Sequence, residues 1–473
     1  AQGATLTVGA GKQFPTLVAA ASAVNAGDVV EVYDDQQWST SQDGVSFTRS
    51  GAANSKITIR GVRNGQGKRP VLKGGNNWTV FFNANYYVFE GFEVTGGDRT
   101  CITHKANDIT IRDTVIHDCP RHGILGTDEG SGSLTMEFVE VYKAGSEPPG
   151  ENLKHPVYIA TDADPTTGFP GSVFRMQHCW VHDAGGGNSV KSRAQRGEFR
   201  YNWLEGAQYY ELELIGPDGP PTDLAREDSE VVGNVLVKTN TNSYAVRIGG
   251  DGTGHTNGRY RFVNNTIILP SDGVGVMRTF EGIESLEFSN NVAYKLGGSA
   301  IEYILRTTDT TWVQGQPRIS GANNWFPTGS TNIPAEYTGT ILGADPGFMS
   351  TGAALDLRPK EGGPLVDKGI AAYQFEGVRS HIDSLHTLFS VLSNCALKAK
   401  ILHPNQRDPI AKVSTEDIER QIIQTVQPNS GLSFTFPVFA AVIIGGASLT
   451  GGKGTIIGTM GGALLLAELQ QGL

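Results

Sequence analysis

Arg200-Tyr201-Asn202-Trp203, Val232-Gly233-Asn234-Val235, Val263-Asn264-Asn265-Thr266, Ser289-Asn290-Asn291-Val292 and Ala322-Asn323-Asn324-Trp325 repeat one pattern, a strand-like segment with an amide near its centre. Toward the N-terminus the same shape returns with other central residues. It reads Phe89-Glu90-Gly91-Phe92, Ile111-Arg112-Asp113-Thr114, Met136-Glu137-Phe138-Val139 and Met176-Gln177-His178-Cys179. Aligned on their third residues (91, 113, 138, 178, 202, 234, 265, 291, 324), the copies lie 22 to 40 residues apart. No exact period exists, but every gap fits one coil with a loop of variable length. A second strand follows most copies, as in Gly123-Ile124-Leu125, Pro156-Val157-Tyr158, Ser189-Val190-Lys191, Glu211-Leu212-Glu213, Ala245-Val246-Arg247 and Gly275-Val276-Met277. Short β-rich segments at this interval, with Gly and Asn between them, predict stacked parallel coils. Their strands should lie about 4.8 Å apart. Asn202, Asn234, Asn265, Asn291 and Asn324 are expected to form an inward ladder, each bonding to the next coil.

Composition agrees. Glycine supplies 61 of 473 residues, nearly twice ordinary usage, while charged residues are 18% and aromatics 8%. That balance argues against a coiled coil, a helical bundle or a disordered chain. A net charge of −10 repels phosphate backbones, so nucleic acid is not an expected partner. Four cysteines exclude a disulfide scaffold. The opening Ala1-Gln2-Gly3 fits the product of signal-peptide removal at a small-residue site. No apolar run of membrane-spanning length occurs before residue 430, so a membrane partner is not expected.

Leu6-Thr7-Val8-Gly9-Ala10-Gly11-Lys12-Gln13-Phe14-Pro15-Thr16-Leu17, followed by Asp28-Val29-Val30-Glu31-Val32, is similar to the usual start of one fold family. With the repeats, it resembles the secreted bacterial right-handed parallel β-helix proteins of the polysaccharide lyase superfamily, which includes pectate, alginate and chondroitin lyases. The resemblance covers about 1–370. It implies an all-β solenoid with a short capping helix at 15–25 and a first coil starting at Asp28–Val32. It also implies a secreted, periplasmic or cell-surface protein with a polysaccharide as partner. The fold hosts several chemistries, so the activity must come from the site.

After Gly369 the pattern stops, and an irregular, partly helical tail is expected. Residues 371–433 read as a linker, with an amphipathic helix over 381–399 and another helical stretch opening at Ser414. Residues 434–473 contain Val442-Ile443-Ile444-Gly445-Gly446 and Gly451-Gly452-Lys453-Gly454-Thr455, and resemble a late membrane segment of sugar transporter permeases. Both apolar runs are shorter than a membrane span, so a fusion or an end cap is expected rather than a transporter.

The candidate site follows from strand parity. With Ile124, Val157, Val190, Leu212, Val246 and Val276 inward, the next residues point outward. Tyr158, Lys191, Glu213, Arg247 and Met277 then stack on one face, joined by Arg193 and Glu211. This is a salt-bridge ladder or a polysaccharide groove. Ser189-Val190-Lys191-Ser192 resembles the lyase segment whose lysine is the base. The resemblance implies β-elimination on a uronate-containing polymer, with Lys191 as base, Arg193 or Arg247 neutralising the substrate carboxylate, and Tyr158 as proton donor. Those lyases carry an arginine where Glu211-Leu212-Glu213 stands here. Glu211 and Glu213 would then hold Ca²⁺ or sugar hydroxyls. As two carboxylates on one strand face, they also allow glycoside hydrolysis. A non-catalytic carbohydrate-binding surface is the third reading.

His122, His155 and Asn188 start equivalent second strands. They are expected to stack at one corner, as a hydrogen-bonded ladder, a metal site, or with His155 as an acid–base group beside Tyr158 and Lys191. Asp162 lies in a neighbouring segment placed to wall the groove and touch substrate. Cys101 and Cys119 are either bridged, if the protein is exported, or buried thiols.

Overall fold

The computed structural model describes residues 3–146, 153–218, 228–254, 256, 258–307, 318–352, 355–366 and 368–369. The expected linker helices and permease-like segment lie outside these residues.

The chain is a parallel β-helix, as expected. One ten-stranded sheet and one 23-stranded sheet, both parallel throughout, are formed by strands of successive coils. The larger sheet turns a corner within each coil. A complete coil therefore has three strand segments, such as Ser229–Val232, Val235–Val237 and Val246–Ile248. The next coil repeats them as Arg259–Val263, Thr266–Leu269 and Gly275–Thr279. Inward residues stack into a core of Val, Ile, Leu and Phe, including Phe47, Phe82, Phe89 and Phe92. The helix Leu17–Ala21 buries Leu17, Ala20 and Ala21, and Thr16 caps its start by accepting from the Ala19 N–H at 3.2 Å. The first strand is Thr5–Val8, which pairs with Val29–Val32; coiling thus begins before Asp28.

The first corner of each coil has one residue in the left-handed region. These are Gly91, Asp113, Phe138, His178, Tyr201, Gly233, Asn264, Asn290 and Asn323. The alignment read from sequence slips here: its last five positions are the inward neighbours of the corner residues. Asn202, Asn234, Asn265, Asn291 and Asn324 are those neighbours, and they form the expected ladder. Each of the first four side chains donates to the next Asn Oδ1, at 2.9, 3.0, 2.9 and 3.2 Å. Their backbone N–H groups donate to the same oxygens at 2.9 Å. Buried amides are costly unless bonded, and this arrangement satisfies them coil by coil.

Phe138, His178 and Tyr201 break the corner's chemistry. A bulky residue costs about 1–2 kcal/mol in this backbone region. Their rings stack at 5.0 and 5.4 Å, which recovers about 0.5–1.5 kcal/mol per pair.

Cys101 and Cys119 are bridged, with Cα atoms 5.6 Å apart. Cys179 is a buried free thiol. Outside the C-terminal coils a second apolar cluster, including Trp203, Val235, Tyr294 and Trp325, is covered by Phe348, Leu355, Leu357 and Leu365. Among the described residues, no helix is long and apolar enough to cross a membrane.

Candidate functional site

The outward column of the ten-stranded sheet runs, in register, through Leu125, Tyr158, Lys191, Glu213, Arg247, Arg278 and Arg306. The expected order holds as far as Arg247 and then shifts by one. Met277 pairs with Val246, is 1% exposed and faces inward, so Arg278 takes the outward place.

Lys191 lies between Tyr158 and Glu213. Its Nζ is 5.2 Å from the centre of the Tyr158 ring and 3.7 Å from a Glu213 oxygen. Burial pushes the Tyr158 hydroxyl up to about 12, so it is a protonated donor at neutral pH. Glu213 also accepts from Asn188 Nδ2 at 2.6 Å and faces Arg247 Nε at 3.4 Å.

The other predicted residues have structural partners. Arg193 is buried and pairs with both Asp218 and Asp251, so it does not offer a free charge to a substrate carboxylate. Arg247 is 4% exposed; it donates to the carbonyls of Gly249 and Gly250 and lies over the Phe280 ring. Asp162 accepts from the N–H groups of Gly130 and Asp164 and anchors its own loop.

Glu211 is fully buried. Its carboxylate accepts from the Ser189 hydroxyl at 2.8 Å and the Ala207 N–H at 3.1 Å. Burial raises its pKa to about 7, against the opposing pull of Lys238, Ser189 and Ala207. Lys238 is also buried, donates to the Tyr209 carbonyl, and is lowered to about 8 by burial. The enclosure of Glu211 corrects two expectations. It cannot form a solvent-facing carboxylate pair with Glu213 for glycoside hydrolysis. The two do not fit a Ca²⁺ ion either, since the oxygens of Glu211 are turned to internal donors and Glu213 is held by cations and an amide. Among the described residues, no group of three or more His, Cys, Asp or Glu side chains converges as a metal site.

The His122–His155–Asn188 corner is a hydrogen-bonded ladder. The His155 N–H donates to His122 Nδ1 at 3.2 Å, and the Asn188 N–H to His155 Nδ1 at 2.8 Å. Asn188 Oδ1 accepts from the Tyr210 N–H at 3.0 Å. His155 is 3% exposed, and burial first, then the charges of His122, Lys191 and Lys154, hold its pKa well below the usual value. It is a neutral spacer rather than an accessible acid–base group. Burial likewise lowers His122 to about 4, helped by the charges of Lys154, Arg121 and Lys191.

Those last shifts expose a feature that strand parity missed. Arg99, Arg121 and Lys154 each precede the ladder position on three successive coils, at Thr100, His122 and His155. Among the described residues, none of the three forms an ion pair. The sequence signal was present as the repeated dipeptides Arg121-His122 and Lys154-His155.

No protein-family profile matches the chain. Among curated proteins, it is similar to the ribose import permease protein RbsC of Escherichia coli K12, at 46% identity over 56 residues, covering 12% of this chain and 17% of the permease. It is also similar to the autoinducer 2 import system permease protein LsrD of Escherichia coli O9:H4, at 54% identity over 43 residues, covering 9% and 13%. The chain thus spans less than a fifth of the length of the curated relatives it matches. Among solved structures, it is similar to pectate lyase Pel9A, with 13% identity and a TM-score of 0.49, covering 80% of this chain and 94% of that one. A second is an alginate lyase from Paenibacillus sp. FPU-7, with 15% identity and a TM-score of 0.40, covering 71% and 99%. A third is the GH136 lacto-N-biosidase from Eubacterium ramulus, with 12% identity and a TM-score of 0.38, covering 72% and 67%.

Proposed function

We propose that residues 1–370 form an exported polysaccharide-active unit whose ten-stranded face binds an acidic polysaccharide and cleaves it by β-elimination. The observation that carries this reading is the cluster of Arg99, Arg121 and Lys154 beside Tyr158 and Lys191, which form no ion pair among the described residues, in a chain of net charge −10. Arg121 and Lys154 both act on the same buried histidine corner beside Lys191, so an anion bound there meets two positive charges while Lys191 serves as the free amine. The Cys101–Cys119 bridge supports an oxidising compartment.

In the reaction, the Lys191 amine takes the proton from the ring carbon beside the uronate carboxyl. The electron pair forms a double bond to the neighbouring carbon, and the glycosidic C–O bond there breaks. The leaving oxygen takes the Tyr158 hydroxyl proton. Arg121 and Lys154 stabilise the charge that builds on the carboxylate before the bond breaks. Bulk water returns Lys191 and Tyr158 to their starting states.

The product is a conjugated unsaturated uronate, so a panel of uronate polymers is screened by ultraviolet absorbance. With a substrate in hand, Lys191→Ala should lower the rate by about 10²–10⁴ while binding persists. Binding without an absorbing product from any polymer would make the face a non-catalytic carbohydrate-binding surface. Full activity in Lys191→Ala would remove Lys191 as the base.

A further inference from the structure

Three coils beyond Lys191 the outward column reaches Arg278 and then Arg306. The guanidinium of Arg278 lies over the Phe280 ring at 4.7 Å, sharing it with Arg247 at 4.1 Å. Phe280 thus holds Arg278 in place without neutralising it. Among the described residues, Arg278 meets no carboxylate and its Nε has no hydrogen-bond partner. Arg247 differs, having Glu213 and two carbonyls. Arg306 is exposed, lies over the Tyr303 ring, donates to the Tyr244 hydroxyl at 3.3 Å and feels the charge of Glu302, but among the described residues it makes no ion-pair contact. A structural salt-bridge ladder would place an acid between these arginines, as the opposite sheet does with Glu90 between Arg60 and Arg112.

We infer that Arg278, with Arg306 beside it, is a remote anion subsite that binds a second acidic group of the same polymer. The inference rests on the proposed reading of the Lys191 face and adds a length requirement. At about 4.8 Å per coil, Arg278 is roughly 14 Å from Lys191 along the column. One uronate cannot reach both. The ligand class is therefore an extended oligouronate of several sugars, with a carboxylate at each end of that span. Arginine suits the task because its planar fork grips a carboxylate with two parallel N–H groups.

The test is calorimetric binding in the Lys191→Ala background, where the probe is not consumed. The probes are disaccharides and hexasaccharides of galacturonate and of mannuronate. The hexasaccharide of the preferred sugar should bind at least about tenfold more tightly than its disaccharide. Arg278→Gln should abolish most of that ratio. Arg278→Lys, which keeps the charge but loses the fork, should restore part of it and also controls for folding. The subsite is refuted if Arg278→Gln keeps the full ratio, if length has no effect, or if neither hexasaccharide binds. Cleavage chemistry is judged separately, by product absorbance with Lys191 intact, so a polymer can be cleaved while this inference fails.

Discussion

Replacing Asn265 tests the interior ladder where its bonding is most complete. Asn265 is 1% exposed. Its Oδ1 accepts from the Asn234 N–H at 2.9 Å and from Asn234 Nδ2 at 3.0 Å. Its Nδ2 donates to the Val231 carbonyl at 2.8 Å and to Asn291 Oδ1 at 2.9 Å. Asn265→Ala removes all four bonds and strands the Asn234 N–H in the core. One buried orphan costs about 1–3 kcal/mol, and each of the other three bonds about 0.5–1.5 kcal/mol. The expected loss is roughly 3–7 kcal/mol, read from the urea unfolding midpoint and slope. Asn265→Asp should be worse at neutral pH. The ladder has one polarity, and Asp would place an acceptor oxygen against the acceptors of Val231 and Asn291. Protonation restores one donor. The Asp side chain should therefore bind a proton more readily folded than unfolded, and the variant should regain stability as pH falls. A loss below about 1 kcal/mol for Asn265→Ala, or equal losses for Ala and Asp at neutral pH, would refute the directional ladder as a main support of the core.

Other expectations follow from the buried charges and the bridge. Lys238→Met should cost about 3–5 kcal/mol by leaving Glu211 buried without its counter-charge, while Glu211→Gln combined with Lys238→Met recovers most of it in chemical unfolding. The same pair sets a pH signature. Glu211 is raised, so the folded state holds its proton to about pH 7 and stability falls as pH rises toward that value; Lys238 is lowered, so above about pH 8 the unfolded state binds more protons and stability rises again. The minimum near neutrality should vanish in the double variant. Reducing the Cys101–Cys119 bridge, whose cysteines are 18 residues apart, should lower stability by about 3 kcal/mol on the loop-closure account, measured by unfolding with and without reductant.

The solenoid was legible because stacking imposes local chemistry on every coil. Asn at 202, 234, 265, 291 and 324 announced an interior that must satisfy its own amides. Strand parity located Tyr158, Lys191 and Glu213 correctly, since one residue in two faces out. It failed at Gly275-Val276-Met277, where both Val276 and Met277 are buried and alternation alone cannot choose between them. That slip hid Arg278. Parity also says which side of the sheet a residue faces, but not what covers it. Arg193 and Glu211 face away from the core, yet Asp218 and Asp251 close over one and Ser189 and Ala207 over the other. Those partners come from other coils or from the turn before Glu211. The alignment slip at the first corner has a similar origin. Phe138, His178 and Tyr201 occupy left-handed positions that residue preference assigns to Gly, Asn or Asp.

The Cys101–Cys119 bridge changes how this chain would come apart under load. A solenoid pulled from its two ends yields from the outside inward, each coil peeling from its neighbour and adding its residues to the extended length. Cys101 lies near the start of one coil and Cys119 at the end of that coil's next long strand, Ile109–Cys119. The bridge makes the intervening chain a closed hoop that force cannot pay out. At roughly 3.3–3.6 Å per residue, a fully drawn oxidised molecule should fall short of the reduced one by about 60 Å. The missing length is a mechanical fingerprint of one coil, readable molecule by molecule.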